Sequence, residues 1–528
     1  MGMSISIPAP ARVPLISKGF MEPKEQQNMS LPGAQASKAT PSGVPTDNKK
    51  LICLGICLAI GLLAWFLPAD AFGLKGDPTV LEQRVIAIFL FAAAMWITEP
   101  IPIWTTSVLT MVLMLLTVSN SAIAFMAPEK GAELYNGQVY GEPISYKAIM
   151  AAFADPTIML FMGGFVLAIA ATKYKMDAGL AKAMLKPFGT RSEYVLLGFI
   201  LISATFSMFM SNTATAAMML TILSPVLATL PSDGKGKIGL ALAIPIACNV
   251  GGIGTPIGTP PNAIATGFLE KQGIEIAFGD WMLIMVPVVL IILVFSWFLL
   301  VKLFPFSQRD IVIEVPGDFD KSPKAFIVYV TFGVTIFLWV FGKDLFGINA
   351  NVVALIPFAV FSITGVITKK DLALIDWDVL WLVAGGFALG IGLDKTGLGK
   401  HMVDSIPLDQ WPTLVMMVGA GVLCIVMSTF MSNSGTAALL VPILAAAGMG
   451  MQEQLASFGG VPALLIGVAL SASLAMSLPI STPPNALAYA KGFIQQKDMA
   501  IVGIIVGVFG MIVGYSALIL FGNAVFGN

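Results

Sequence analysis

Ionisable groups are scarce in this chain. Asp, Glu, Lys and Arg make up only 11% of its 528 residues, and histidine occurs once, at His401. A lone histidine in a polar connection cannot build a buried proton relay. The four cysteines, Cys53, Cys57, Cys248 and Cys424, all lie inside apolar runs. They read as small buried hydrophobes, and their spacing suggests neither zinc nor a disulfide framework. A net charge of −1 provides no basic field for nucleic acid. No buried His/Asp/Cys set offers a nucleophile with its base, so an enzyme is not expected and no cofactor is implied.

Apolar sequence takes the place of charge. Hydrophobic residues make up 57% of the chain, its mean hydropathy is +0.88, and apolar runs of 17 to 25 residues recur along almost its whole length. In lipid, every backbone polar group must be satisfied within the chain, so an all-α polytopic protein in a lipid bilayer is expected. Continuous rather than alternating runs argue against a β-barrel. Residues 1–48 stand apart, rich in Pro, Ser, Gln, Gly and Lys. They read as a disordered tail without the apolar core of a secretory signal. Only Arg12 supplies arginine there, and Glu22 and Glu25 are present, a poor match to a transit peptide.

The apolar runs divide into eleven single spans: roughly 51–67, 83–98, 103–124, 149–171, 238–268 and 281–304, then 325–343, 349–366, 377–393, 461–490 and 499–526. Two further stretches, 194–230 and 411–447, are too long for one crossing. Each is interrupted near its middle, by Ser211-Asn212-Thr213 or by Ser432-Asn433-Ser434. Fragments of about 16 residues are short for a full crossing, so both stretches read as re-entrant hairpins with the tripeptide at the tip. With a cytoplasmic N-terminus this threading places seventeen Lys and Arg residues on the cytoplasmic side and eight opposite, the bias of a cell-membrane protein such as one of the bacterial inner membrane.

Matched landmarks expose a repeat. Gly163-Gly164 aligns with Gly385-Gly386 at an offset of 222, Ser211 with Ser432 at 221, and Asn262 with Asn485 at 223. After a first helix and connection (49–82), the repeats cover 83–310 and 311–528. Five spans and one hairpin in each invert the second copy, so the tips can meet near the midplane.

The chemistry concentrates in four polar breaks: the two tripeptides, and the segments Gly258-Thr-Pro-Pro-Asn262 and Ser481-Thr-Pro-Pro-Asn485. Paired prolines end a helix, freeing carbonyls on one side and N–H groups on the other. Carbonyls, hydroxyls and carboxamides suit a small hard cation such as Na⁺, and helix N-termini suit a carboxylate or sulfate. Ser207 and Ser428 sit one turn before the tips and can turn their hydroxyls towards them. Asn262 and Asn485 can cap the restarting helices. None of the four motifs holds Lys, Arg, Asp, Glu or His, so co-bound cations are the simplest charge balance for a dianion. Glu99 reads as an interfacial charge, and Asp155, Asp376 and Asp378 as helix starts. The glycine pairs permit close helix contact. Met176 to Phe188 has the pattern of an interfacial amphipathic helix.

With these residues in view, the chain resembles the divalent-anion:sodium symporter family over roughly residues 50–528. Trp96-Ile-Thr-Glu-Pro-Ile-Pro102, the two tips and the two Thr-Pro-Pro-Asn loops carry the resemblance. It implies a homodimer of eleven spans and two hairpins per chain, divided into scaffold and transport domains. It implies secondary transport of C4-dicarboxylates, sometimes citrate or sulfate, usually with several Na⁺ and an elevator-like movement. By motif, one Na⁺ is implied at Ser207, Ser211, Asn212 and Gly258, and another at Ser428, Met431, Asn433 and Ser481. The anion is implied at Ser211, Asn212, Thr213, Thr259, Pro260, Ser432, Asn433, Ser434, Thr482 and Pro483. Ser434 departs from the family's usual Thr. Na⁺-independent exchangers of the family look like having a basic residue soon after the first tip, where this chain reads Ala214-Thr-Ala-Ala217. The expected function is Na⁺-coupled uptake of succinate, malate or fumarate. The alternatives are a Na⁺-independent exchanger and a sulfate or citrate carrier of the same fold.

Overall fold

The structure is a computed structural model that describes residues 48–67, 69–74, 78–129, 132–230, 234–311, 318–405 and 412–526. The expected disordered tail, residues 1–47, lies outside the described residues.

Apolar runs bounded by caps and prolines fold into helix after helix. The first are α1 (Asn48–Phe66), α2 (Val80–Thr98) and α3 (Ile103–Thr117). Thr79 and Glu82 form a reciprocal capping box that starts α2. A two-residue β-hairpin, Leu134–Tyr135 with Gln138–Val139, precedes the short α4 (Tyr146–Ala151). Next come α5 (Pro156–Lys173) and α6 (Met176–Leu185), then the pair α7 (Ser192–Phe209) and α8 (Asn212–Thr229). The helix α9 (Lys235–Gly251) unwinds and resumes as α10 (Pro260–Lys271), and α11 (Phe278–Leu303) closes this half.

The second half repeats the series. It runs α12 (Pro323–Phe346), α13 (Ala350–Val353), α14 (Leu355–Ile363), α15 (Trp377–Lys395), α16 (Leu398–Ser405), and the pair α17 (Thr413–Phe430) and α18 (Asn433–Gly450). After the short α19 (Gln452–Leu455), α20 (Gly460–Ser473) unwinds and resumes as α21 (Pro483–Ala490), and α22 (Gln496–Phe526) ends the chain.

Eleven helices among the described residues are long and apolar enough to cross a membrane. The protein is an integral membrane protein. The eleven are not the same set as the spans read from the sequence. Ser192–Phe209, Thr413–Phe430 and Asn433–Gly450 qualify although they are arms of the two helix pairs, whereas of the expected spans Ile103–Thr117 and Ala350–Ile363 are too short and Gly460–Ser473 passes only together with the bent segment Gln452–Phe458 before it. Each arm has 18 residues, about 27 Å at 1.5 Å per residue, just under a hydrocarbon core of about 30 Å.

One glycine of each pair makes the close contact expected of it. A Cβ on Gly163 would fall onto the Ala354 carbonyl, and one on Gly385 onto Ser107. Thus α5 seats against the α13–α14 junction and α15 against α3. A Cβ on Gly164 would instead meet the Ile257 side chain at 3.4 Å, ordinary van der Waals contact. Gly163→Ala should therefore destabilise the detergent-solubilised protein by about 1–3 kcal/mol, while Gly164→Ala should be tolerated. Thermal melts of the two variants side by side check this, and equal melting points would refute it.

Two charges differ from their sequence reading. Arg84, counted among connection charges, is buried within α2. It donates to the Thr117 carbonyl at 2.7 Å and lies 5.2–5.5 Å from the ring centres of Trp65, Tyr135 and Tyr140. His401, expected in an exposed connection, is half-buried on α16, with Nδ1 2.8 Å from Oε1 of the buried Glu82. Other expectations are met in part. Met176–Leu185 is helical, and Asp155 caps α5 by accepting from Thr157 N at 3.0 Å. Asp376 occupies the N-cap position of α15 but makes no side-chain cap bond.

Candidate functional site

The two tips are helix–turn–helix breaks of the same construction. α7 ends at Phe209, Met210 is extended, and α8 starts from Ser211. α17 ends at Phe430, Met431 is extended, and α18 starts from Ser432. An extended residue takes its carbonyl out of the helical ladder, which frees an acceptor at each break.

Serine and asparagine then close each break in the same way. Ser207 Oγ donates to the Cys248 carbonyl at 2.8 Å and lies 2.6 Å from the Asn212 carboxamide. Ser428 Oγ, with one proton to give, lies 3.1 Å from the Ala472 carbonyl and 2.8 Å from Asn433 Oδ1. At the first break the inner atom of the Asn212 carboxamide also lies 3.0 Å from Gly258 O and 3.3 Å from Cys248 O. With its nitrogen inward, the two hydrogens of this carboxamide are shared among the three oxygens. With its oxygen inward, four oxygens converge around the single Ser207 proton, an arrangement that a bound cation would relieve.

The unwound segments form the second wall. Pro260 and Pro261 open α10, and Pro483 and Pro484 open α21. Asn262 does not cap the helix it was expected to cap. Its Nδ2 reaches back to Gly252 O at 3.0 Å and Thr255 O at 2.8 Å. Asn485 likewise holds Met476 O at 2.8 Å and Leu478 O at 3.0 Å. The physical reason is that the unwound carbonyls have left the helical ladder; Thr255 O and Leu478 O keep one backbone donor each, Gly258 N at 3.3 Å and Ser481 N at 3.1 Å, and a poorly served buried carbonyl costs more than an open helix end. Thr482 Oγ1 supplies the cap of α21, at 3.3 Å from Asn485 N. The segments also bond to the tips. Thr255 Oγ1 donates to the Met208 carbonyl, and Ser481 Oγ to the Thr429 carbonyl at 2.7 Å.

The halves interlock. α8 packs on α21 and α18 on α10, so each tip's second helix meets the restarted helix of the other half. Among the described residues the clusters contain hydroxyls, carboxamides and carbonyls and no Asp, Glu, Lys, Arg or His side chain. One carboxylate reaches an edge. Glu99, left-handed at φ 43° as the C-cap of α2, accepts from the Ser432 N–H. Its left-handed backbone turns this exposed carboxylate onto the second tip.

Comparison with known proteins fits this geometry. A family model described as "Citrate transporter" matches residues 93–458. The chain belongs to the divalent-anion:sodium symporter family. This family member is 29% identical over 499 residues to the sodium-dependent dicarboxylate transporter SdcS of Staphylococcus aureus, covering 88% of this chain and 89% of that one. It is 31% identical over 450 residues to an uncharacterized transporter of Haemophilus influenzae, covering 81% and 89%. Among solved structures, the YdaH transporter of Alcanivorax borkumensis aligns with a TM-score of 0.51 at 12% identity, over 71% of this chain and 87% of that one, a likeness of fold.

Within this symporter-family chain, the residues singled out from the sequence separate into groups. Ser207, Asn212 and Gly258 meet in one cluster, and Ser428 and Asn433 in the other. Ser481 bonds to the neighbouring Thr429 carbonyl rather than to Ser428 or Asn433. Thr259 and Thr482 are buried N-caps, followed by Pro260 and Pro483. The hydroxyls of Ser211, Thr213, Thr259 and Ser434 make no hydrogen bond among the described residues, so they are open to a ligand. Ser432 differs, because its Oγ accepts from Gly435 N at 3.1 Å. Sequence reasoning missed the carbonyls of Cys248 and Ala472, which any residue type could supply. It also missed Asn249, a single carboxamide in the apolar run Ala247-Cys-Asn-Val250.

Proposed function

We propose that this protein is a Na⁺-coupled symporter of C4-dicarboxylates such as succinate, malate and fumarate. The observation that carries the reading is the pair of matched Ser–Asn–carbonyl clusters at the two helix breaks. Neutral oxygens of this kind bind Na⁺, and two such cations offset a dianion that no Lys or Arg approaches. One Na⁺ sits among Ser207, Ser211, Asn212 and Gly258, the other among Ser428, Met431, Asn433 and Ser481. The anion lies between the tips, on the open hydroxyls of Ser211, Thr213 and Ser434 and on the walls Thr259-Pro260 and Thr482-Pro483. The name of the SdcS relatives, sodium-dependent dicarboxylate transporter, supports the same substrates.

The reading places the chain in a bacterial inner membrane with its N-terminus cytoplasmic. It acts as a homodimer, and its two inverted halves carry the site across by an elevator movement. Citrate is the second reading, favoured by the description of the matching family model. The deciding experiment is uptake of labelled succinate by purified protein in liposomes, with and without an inward Na⁺ gradient. Uptake should require Na⁺ and be suppressed by unlabelled malate. Full uptake in choline buffer, or uptake only from dicarboxylate-preloaded vesicles, would overturn Na⁺ coupling. Suppression by citrate but not malate would establish the second reading.

A further inference from the structure

Asn249 is fully buried, near the end of α9. Its Nδ2 donates to Thr482 Oγ1 at 3.1 Å and to Asn485 Oδ1 at 3.1 Å. Both partners belong to the other half of the chain. A buried carboxamide that crosses between halves orders both of them, because removing it leaves Asn485 Oδ1 buried without a donor.

Its position gives the crossing a consequence. On one side, the adjacent residue Cys248 supplies the carbonyl that receives Ser207 in the first cluster. On the other side, Thr482 follows Ser481, which bonds to the Thr429 carbonyl next to Ser428 of the second cluster. Asn485 holds the unwound carbonyls of the same wall. One peptide therefore separates Asn249 from the first cluster, and one hydrogen bond plus one peptide separates it from the second wall.

The connection has no mirror image. The matched carbonyls of Cys248 and Ala472 place Ser473 opposite Asn249 in the repeat. Ser473 turns back to its own helix, donating to Ala469 O at 3.1 Å. Asn262 Oδ1, the counterpart of the acceptor on Asn485, has no donor. Coupling between the halves through this layer of side chains thus runs through Asn249.

We infer that Asn249 is a positioning residue that couples the two cation clusters, so that Na⁺ bound at one raises affinity at the other. This rests on the Na⁺-coupled reading above. It requires no contact between Asn249 and an ion. Filling the first cluster fixes the Cys248 carbonyl and with it α9 at residue 249, and the two bonds carry that order to Thr482, Asn485 and the second wall.

The test is Na⁺ binding without transport. Full-length protein in detergent is titrated with NaCl against choline chloride at constant ionic strength, and the melting temperature is followed. The wild type should titrate cooperatively, with a Hill coefficient above one. Asn249→Ala should lower the coefficient towards one and raise the midpoint about fivefold or more, while still responding to Na⁺. If Asn249→Ala does not fold, Asn249→Ser takes its place. Serine should show the same loss, because its hydroxyl returns to its own helix as that of Ser473 does. A variant that titrates as cooperatively as the wild type, at the same midpoint, overturns the inference and leaves the Na⁺ reading standing. A wild type that melts identically in both salts overturns the reading itself, and the inference with it.

Discussion

Asn212→Ala should abolish Na⁺-dependent uptake while leaving a folded protein. The Asn212 carboxamide is the meeting point of the first cluster, 2.6 Å from Ser207 Oγ and 3.0 Å from the Gly258 carbonyl. Alanine removes that centre, but Ser207 retains its bond to Cys248 O, so the break keeps one of its two closures. Losing a polar ligand to a charged group costs about 1.5–3 kcal/mol, roughly a 10- to 100-fold weakening of Na⁺ binding. At ordinary Na⁺ concentrations such a loss removes uptake. Asn433→Ala should behave alike, since Ser428 keeps its bond to Ala472 O. Initial rates against Na⁺ concentration in liposomes check both variants. Uptake within twofold of wild type at low Na⁺ would remove Asn212 and Asn433 from the cation sites.

Gly258→Ala should be as damaging for a different reason. Its added Cβ would land on the Gly252 carbonyl, a backbone atom that Asn262 holds at 3.0 Å. Neither side can yield as a flexible side chain would. The unwound segment must shift, and it carries with it the Gly258 carbonyl that faces Asn212. Overpacking of this kind costs about 1–3 kcal/mol in stability. The functional loss should exceed that, because one methyl group both strains the wall and displaces a ligand. The expected outcome is a melting temperature lowered by a few degrees, Na⁺ protection lost and no measurable uptake. Normal Na⁺-dependent uptake by Gly258→Ala would show that this carbonyl holds no cation.

Much of the architecture was legible because its signals are local. A proline pair ends a helix whatever surrounds it, so the breaks before Pro260 and Pro483 could be located from the sequence. The tips were legible because Ser-Asn-Thr and Ser-Asn-Ser interrupt long apolar runs at a constant offset. Helix lengths near the crossing limit were not. An 18-residue arm and a complete span have the same composition, and only packing distinguishes them.

Of the site, the side chains that recur in both halves were readable, and those that do not recur were missed. Asn249 faces Ser473 across the repeat, so a search for matched positions passes over it. Asn262 and Asn485 were found but given the wrong partner. A helix-start asparagine has a local cap in view, while the unwound carbonyls it serves are seven to ten residues upstream. The pairing of His401 with Glu82 needs tertiary contact between α16 and α2, which no local pattern announces. The turn of Glu99 onto Ser432 depends on one left-handed backbone angle.

The two turns differ in one respect. Ser432 has its hydroxyl engaged by Gly435 and its N–H taken by Glu99, whereas the Ser211 hydroxyl caps nothing. On the proposed reading, a substrate with two dissimilar ends meets two dissimilar receptacles. Malate would then dock in one preferred direction, and its mirror-image isomer would be told apart from it where the two receptacles cease to match.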